Sequence, residues 1–150
     1  VNKHVILTPL SETSTDAVKQ VTQLWQDCGA QVSIMPADEH DQVLAATSHL
    51  PHLLAFTMMN HLNHSTNHLE NMLRFAGSCL RDFTRIASSS PEMWRDICLA
   101  NRAVLLRQIE GYQNELKALQ DMLENNNSEA LEKAFFQARD IREDWLKNRG

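Results

Sequence analysis

Glycine is scarce in this chain, with only Gly29, Gly77, Gly111 and Gly150 among 150 residues. Neither GxGxxG nor GxxxxGK[ST] can be written around them, so the sequence holds no recognisable phosphate-cradling loop. The three cysteines, Cys28, Cys79 and Cys98, are odd in number and far apart. They spell neither a disulfide framework nor a CxxC metal knuckle, and they fit a reducing cytoplasm. Basic residues are outnumbered, 14 Lys and Arg against 19 Asp and Glu for a net charge of -5, and they are scattered rather than striped. This argues against nucleic acid as a partner. No apolar run approaches the ~20 residues that span a bilayer, so no membrane partner is expected. No basic, apolar leader follows Val1, which is itself not an initiator methionine, and the chain reads as an excised piece or a processed product.

What is present is ordinary for a globular protein: 43% hydrophobic and 22% charged residues in 17.1 kDa. His4-Val5-Ile6-Leu7-Thr8-Pro9 is a short apolar run stopped by proline and predicts a buried strand. Val18, Val21, Leu24, Trp25 and Cys28 recur at helical spacing, with Ser14 or Thr15 as N-cap and Gly29 as the stop. Gln31-Val32-Ser33-Ile34-Met35 alternates before Pro36 and predicts a second strand. Two strands around one helix make a βαβ unit too small to be a stable sheet. Residues 1–36 therefore read as the C-terminal end of an α/β domain whose remainder lies upstream.

From residue 37 to 150 nearly everything reads as helix, and a second domain is expected there. Residues 38–62 are apolar around most of the circumference, which implies burial on several sides, and Pro51 should kink the rod. The pattern breaks over Asn63–Asn67 and resumes from Asn67 to Leu80. Ser90-Pro91-Glu92 is a helix start, with serine as N-cap, proline at N1 and an acid in the first turn. Read unbroken to Glu124, this helix would be about 50 Å long with Gly111 as its weak point. Asn125-Asn126-Asn127 ends it, and Leu131, Ala134, Phe135, Ala138, Ile141 and Trp145 continue the stripe beyond. The fold class expected is mainly α, a helical domain with a long antiparallel helix hairpin, preceded by a short βαβ remnant of a Rossmann-type domain. Part of the apolar stripe should pack against a second copy, making a homodimer.

Two constellations could carry chemistry. Asp41, Ser48 and His52 fall within roughly 40° of one another on an α-helix, a polar line along an apolar rod. The line is either a set of core groups satisfied by neighbouring backbone or the wall of a wet pocket. In Arg81-Asp82-Phe83-Thr84-Arg85-Ile86-Ala87, Asp82 and Arg85 can pair on one helix face. A solvated ion pair is the bland reading, but Phe83 and Ile86 alternate with the charges. A guanidinium fixed near apolar surface is the natural bidentate partner of a carboxylate. His61, His64 and His68 have metal-like spacing, yet no cysteine or paired acid accompanies them and an exposed polar loop is favoured. No metal is expected.

His40-Asp41 through Ala45-Ala46-Thr47-Ser48-His49-Leu50-Pro51-His52, and Arg81–Ala87 leading to Met93-Trp94-Arg95-Asp96-Ile97, resemble the C-terminal domain of the prephenate dehydrogenase family, which includes arogenate and cyclohexadienyl dehydrogenases. The strand at Val5–Pro9 and its helix look like the end of that family's dinucleotide-binding domain. The resemblance implies an enzyme that oxidatively decarboxylates prephenate, or acts on arogenate, passing a hydride to NAD or NADP. It implies that Arg85 holds a substrate carboxylate, that Asp82 orients nearby groups, and that His52 lines the cleft with Trp94 packed close to it. Asp41 and Ser48 would support that wall. The family's glycine-rich loop and catalytic histidine would lie upstream of Val1, so this piece alone should bind no cofactor and have no turnover. Ala76-Gly77-Ser78-Cys79-Leu80 stands where the family commonly has a run of glycines. The alternative is a non-catalytic helical dimerisation or regulatory module of the same ancestry.

Overall fold

The computed structural model describes residues 3–65 and 68–148. Strand β1 (His4–Leu7) and strand β2 (Gln31–Ile34) pair in parallel, with His4 opposite Gln31 and Leu7 opposite Ile34. Between them runs α1 (Thr15–Asp27), preceded by Ser14, whose side chain makes no capping bond. The chain leaves α1 through Gly29 at φ 80°, a left-handed turn that suits a residue without Cβ. The expectation of a buried first strand needs correction: β1 is exposed at His4 and half-buried elsewhere, and β2 is mostly exposed. A sheet of two strands covered by one helix has too few neighbours to bury either strand.

The rod predicted over 38–62 is three pieces. Helix α2 (Ala37–Leu44) passes into a π-helical turn (Ala45–His49), and α3 (Leu50–Ser65) continues from it. Leu50 N–H reaches back to the carbonyl of Ala45, five residues away. Pro51 has no N–H to offer, so the wider turn sits where a proline would otherwise collide with the preceding turn. Helix continues through Asn63 to Ser65, past the expected break, so His61 and His64 are on an exposed helical end rather than in a loop. Asn67 lies outside the described residues.

Residues 67–80 do not form one helix. A short α4 (Leu69–Arg74) ends before Phe75-Ala76-Gly77, and α5 (Ser78–Thr84) begins afresh and runs into a 3-10 turn (Arg85–Ser88). Helix α6 (Pro91–Ala100) starts as predicted, with the Ser90 hydroxyl accepting from Met93 N–H at 3.3 Å. It then bends at Asn101 (φ -101°, ψ 29°) before α7 (Arg102–Glu124). The joint is therefore at Asn101 and not at Gly111, which sits within α7 with open space where a Cβ would go. Asn126 takes a left-handed φ of 49° and the Asn127 side chain caps α8 (Ser128–Lys147) by accepting from Ala130 N–H.

The described chain forms two compact units, residues 1–108 and 109–150. In the first, α3 packs against the π-turn, α5 and the 3-10 turn. Its core is Ala45, Ala55, Trp94 and Leu105 with two polar side chains, His49 and Asn101. In the second, the asparagine turn brings Ala134 of α8 into the lining of a cavity shared with Tyr112, Leu116, Leu119 and Met122 of α7.

Candidate functional site

The polar content of the first unit converges on the bend at Asn101. Asn101 is only 5% exposed. Its Nδ2 donates to the backbone carbonyl of Asp41 at 2.8 Å and lies 3.4 Å from Nδ1 of His49. The His49 ring meets the Trp94 indole edge-on, with centroids 6.0 Å apart and planes at 77°. On the Trp94 indole the His52 imidazole stacks at 3.8 Å and 23°. His52 Nδ1 is 2.9 Å from the carbonyl of Ser48, and His40 Nδ1 is 3.0 Å from an Asp41 carboxylate oxygen.

The π-turn makes this assembly. It adds a residue to the turn between Asp41 and His52, so the predicted line is not a straight file of three side chains. Ser48 contributes its carbonyl to His52, and Asp41 contributes a carbonyl to Asn101 and a carboxylate to His40. Burial pushes the His49 imidazole below its ordinary pKa; the charges of His40 and His52 push the same way and Asp41 opposes them. A neutral imidazole is what a site with 9% exposure and an amide N–H partner supports.

Beside the stack lies a cavity of about 310 Å³, lined by Leu53, Phe56, Thr57 and Asn60 of α3 and Pro91, Trp94, Arg95 and Cys98 of α6. Burial raises the Cys98 thiol pKa, which disfavours its thiolate. The indole Nε1–H of Trp94 is buried and has no hydrogen-bond partner among the described residues.

Of the residues singled out in the sequence, His52 and Trp94 are brought into contact, with Ser48 and Asp41 beside them. Arg85 stands at the start of the 3-10 turn that packs on α3, and its side chain is exposed. The expected partly dry crevice around it is absent from the single chain. The expected Asp82–Arg85 pair also needs correction: Asp82 is 3.5 Å from Nε of Arg81, an exposed contact of little energetic weight. The tightening from α5 into the 3-10 turn begins at Arg85 and ends the α-helical spacing on which that pairing depended. Phe83 is 43% exposed rather than buried.

His49 and Asn101 were not singled out from the sequence. Their signal was there: Asn101 is the one polar residue in the file Met93, Ile97, Asn101, Val104, Leu105, and a buried asparagine needs partners.

Fold and site together define a helical domain that follows an α/β strand pair and gathers imidazole, indole and amide groups at a helix joint. The chain belongs to the family described as prephenate dehydrogenase, dimerization domain, whose model matches residues 36–137. It is 37% identical over 142 residues to prephenate dehydrogenase of Bacillus subtilis, covering 95% of this chain and 38% of that protein. It is 32% identical over 139 residues to cyclohexadienyl dehydrogenase of Zymomonas mobilis, covering 92% of this chain and 47% of that one. Among solved structures it matches prephenate dehydrogenase from Aquifex aeolicus, in complex with hydroxyphenyl propionate and NAD+. There the TM-score is 0.86 and the identity 35%, over 93% of this chain and 49% of that one. The chain thus spans less than half the length of each of these relatives.

Proposed function

We propose that the chain is the C-terminal part of a prephenate dehydrogenase, an enzyme that oxidatively decarboxylates prephenate to 4-hydroxyphenylpyruvate with NAD or NADP. In this reading Arg85 holds a substrate carboxylate, His52 and Trp94 form the opposite wall, and Asp82, Asp41 and Ser48 support them. The observation that carries it is the His52–Trp94 stack on an α3 that packs against the turn bearing Arg85. Two stretches distant in sequence thereby share one neighbourhood. The division of the chain at residues 36 and 37 is part of the same reading, and the family match beginning at residue 36 supports it.

The residues present do not fit a dinucleotide. The loop after β1 is Thr8-Pro9-Leu10-Ser11, with no glycine to admit a pyrophosphate against the backbone. Hydride transfer is therefore assigned to residues of the whole enzyme outside this chain, and none of its steps is routed through the residues described here.

A homodimer belongs to the same proposal. The described chain exposes 11,860 Å², against about 7,800 Å² for a compact monomer of this mass. Leu116 and Leu123 of α7 and Phe135, Ile141 and Trp145 of α8 are among the exposed apolar side chains. A further cavity of about 720 Å³ is lined by α8 alone, including Leu131, Phe135, Phe136 and Arg139, so nothing in the single chain closes it. A second copy laid on these helices would.

The exposure of Arg85 favours the rival reading, a non-catalytic dimerisation or regulatory module, and one experiment separates the two. In the complete protein, Arg85→Ala should raise the KM for prephenate about tenfold to a hundredfold. This follows from ~1.5–3 kcal/mol for a hydrogen bond to a charged group. Unchanged kinetics would leave the module.

A further inference from the structure

Two histidines three residues apart meet the same indole, and each has one ring nitrogen committed to a neighbour of known polarity. The Asp41 carbonyl can only accept, so the atom of Asn101 2.8 Å from it is the amide nitrogen and not the amide oxygen. That NH₂ has a second hydrogen, and it is directed at Nδ1 of His49. His49 Nδ1 must then carry a lone pair, which puts its proton on Nε2. For His52 the logic inverts. Its Nδ1 faces the Ser48 carbonyl at 2.9 Å, so that nitrogen carries the proton and Nε2 carries the lone pair.

We infer that His49 and His52 are held in opposite tautomers, and that Asn101 is a positioning residue which keeps His49 neutral so that the proton-accepting nitrogen offered by the stacked pair is Nε2 of His52. Protonating His49 would set an N–H against the Asn101 N–H and break the tie between the helix joint and α2. Protonating His52 at Nε2 breaks nothing, since its Nδ1–H bond to Ser48 is the same in the imidazolium. The groups facing His49 are His40 and Asp41 of α2, His52 of α3, Trp94 of α6 and Asn101 at the joint. Only Asp41 among them favours a charged ring, and its carboxylate is engaged by His40. The meaning of this for substrate rests on the proposal that His52 lines the cleft: its Nε2 would accept from a hydroxyl when neutral and donate to a carbonyl or carboxylate when protonated.

The test is nitrogen NMR of the full chain with ¹⁵N-labelled histidine. At neutral pH the expected spectrum shows His49 protonated at Nε2 with a pyridine-type Nδ1, and His52 the reverse. Asn101→Asp replaces the donor by a carboxylate; it should draw a proton to His49 Nδ1 and raise its titration midpoint by about one to three pH units. The midpoint of His52 should fall as its neighbour charges, while its Nδ1–H persists. A purely space-filling Asn101 would move stability without moving the tautomer of His49. Finding His49 protonated at Nδ1 in the unaltered chain, or an unmoved His49 midpoint in a folded Asn101→Asp chain, overturns the inference. Should that variant fail to fold, the tautomers of the unaltered chain decide alone. Loss of the substrate reading through Arg85→Ala kinetics would leave these nitrogen assignments standing, so the two failures are distinguishable.

Discussion

The imidazole of His52 lies face to face with the indole of Trp94, ring centroids 3.8 Å apart and planes 23° from parallel. Trp94 is also the largest side chain of the small core, so the group that holds His52 is the one on which the unit's packing depends.

Trp94 should accordingly be sensitive to truncation and tolerant of a flat apolar substitute. Trp94→Ala is expected to cost about 3–5 kcal/mol from lost packing and a residual cavity. Trp94→Phe keeps a ring against His52 and removes an indole N–H that has no partner, whose burial alone costs about 1–3 kcal/mol. Denaturant titrations should place the phenylalanine variant much closer to the unaltered chain than the alanine variant. Equal losses would mean that indole shape, rather than ring stacking, holds the core.

Stability should fall on mild acidification. Burial, with the charges of His40 and His52 and against that of Asp41, lowers the folded pKa of His49 from its ordinary 6.5. The unfolded chain then binds the proton more readily than the folded one. The stabilisation is complete above the unfolded value and is lost as pH falls from about 6.5 toward the lower folded value. His49→Gln should be less stable at neutral pH but lose less between about pH 7 and 5.5. Parallel pH profiles for the two chains would refute this.

The two serine N-caps should behave differently although the sequence presents both as helix starts. Ser90 accepts from Met93 N–H and also contacts Glu92 at 2.9 Å, whereas Ser14 makes no side-chain capping bond. Ser90→Ala is expected to cost about 1 kcal/mol and Ser14→Ala a fraction of that, read from thermal unfolding.

The apolar face of α8 gives a prediction on assembly. Phe135 is 59% exposed in the single chain. Phe135→Asp should leave helix content unchanged and shift sedimentation from dimer to monomer, because a charge cannot be buried there without a partner. A dimer of undiminished affinity would remove this face from the interface.

Local punctuation made much of the fold legible. Pro9, Gly29 and Pro36 bound the strand pair and α1, and Ser90-Pro91-Glu92 begins α6 where expected. The break at Asn101 was hidden for a physical reason. Backbone hydrogen bonds from Asn101 to Ile97 and from Leu105 to Asn101 run straight through it. The bend is tied instead to a carbonyl 60 residues earlier in the chain. The π-turn was hidden likewise: Pro51 announced an irregularity, but not that it would be taken up by a wider turn rather than a kink. At the site, the family-like stretches led to His52, Trp94 and Arg85, and the first two touch. The pairing imagined for Arg85 assumed a helix that had already tightened. His49 and Asn101 stayed invisible because each is remarkable only once the other is beside it.

The wider turn at Ala45–His49 also bears on which sequence changes this region can absorb. Removing one residue there would restore ordinary pitch and swing the rod beyond it by about 100°, leaving each half folded while carrying His52 off the face of the indole. Substitutions along this stretch test single contacts, whereas a change of length by one would re-aim the whole downstream helix, so alterations of length should be far less forgiving here than alterations of composition.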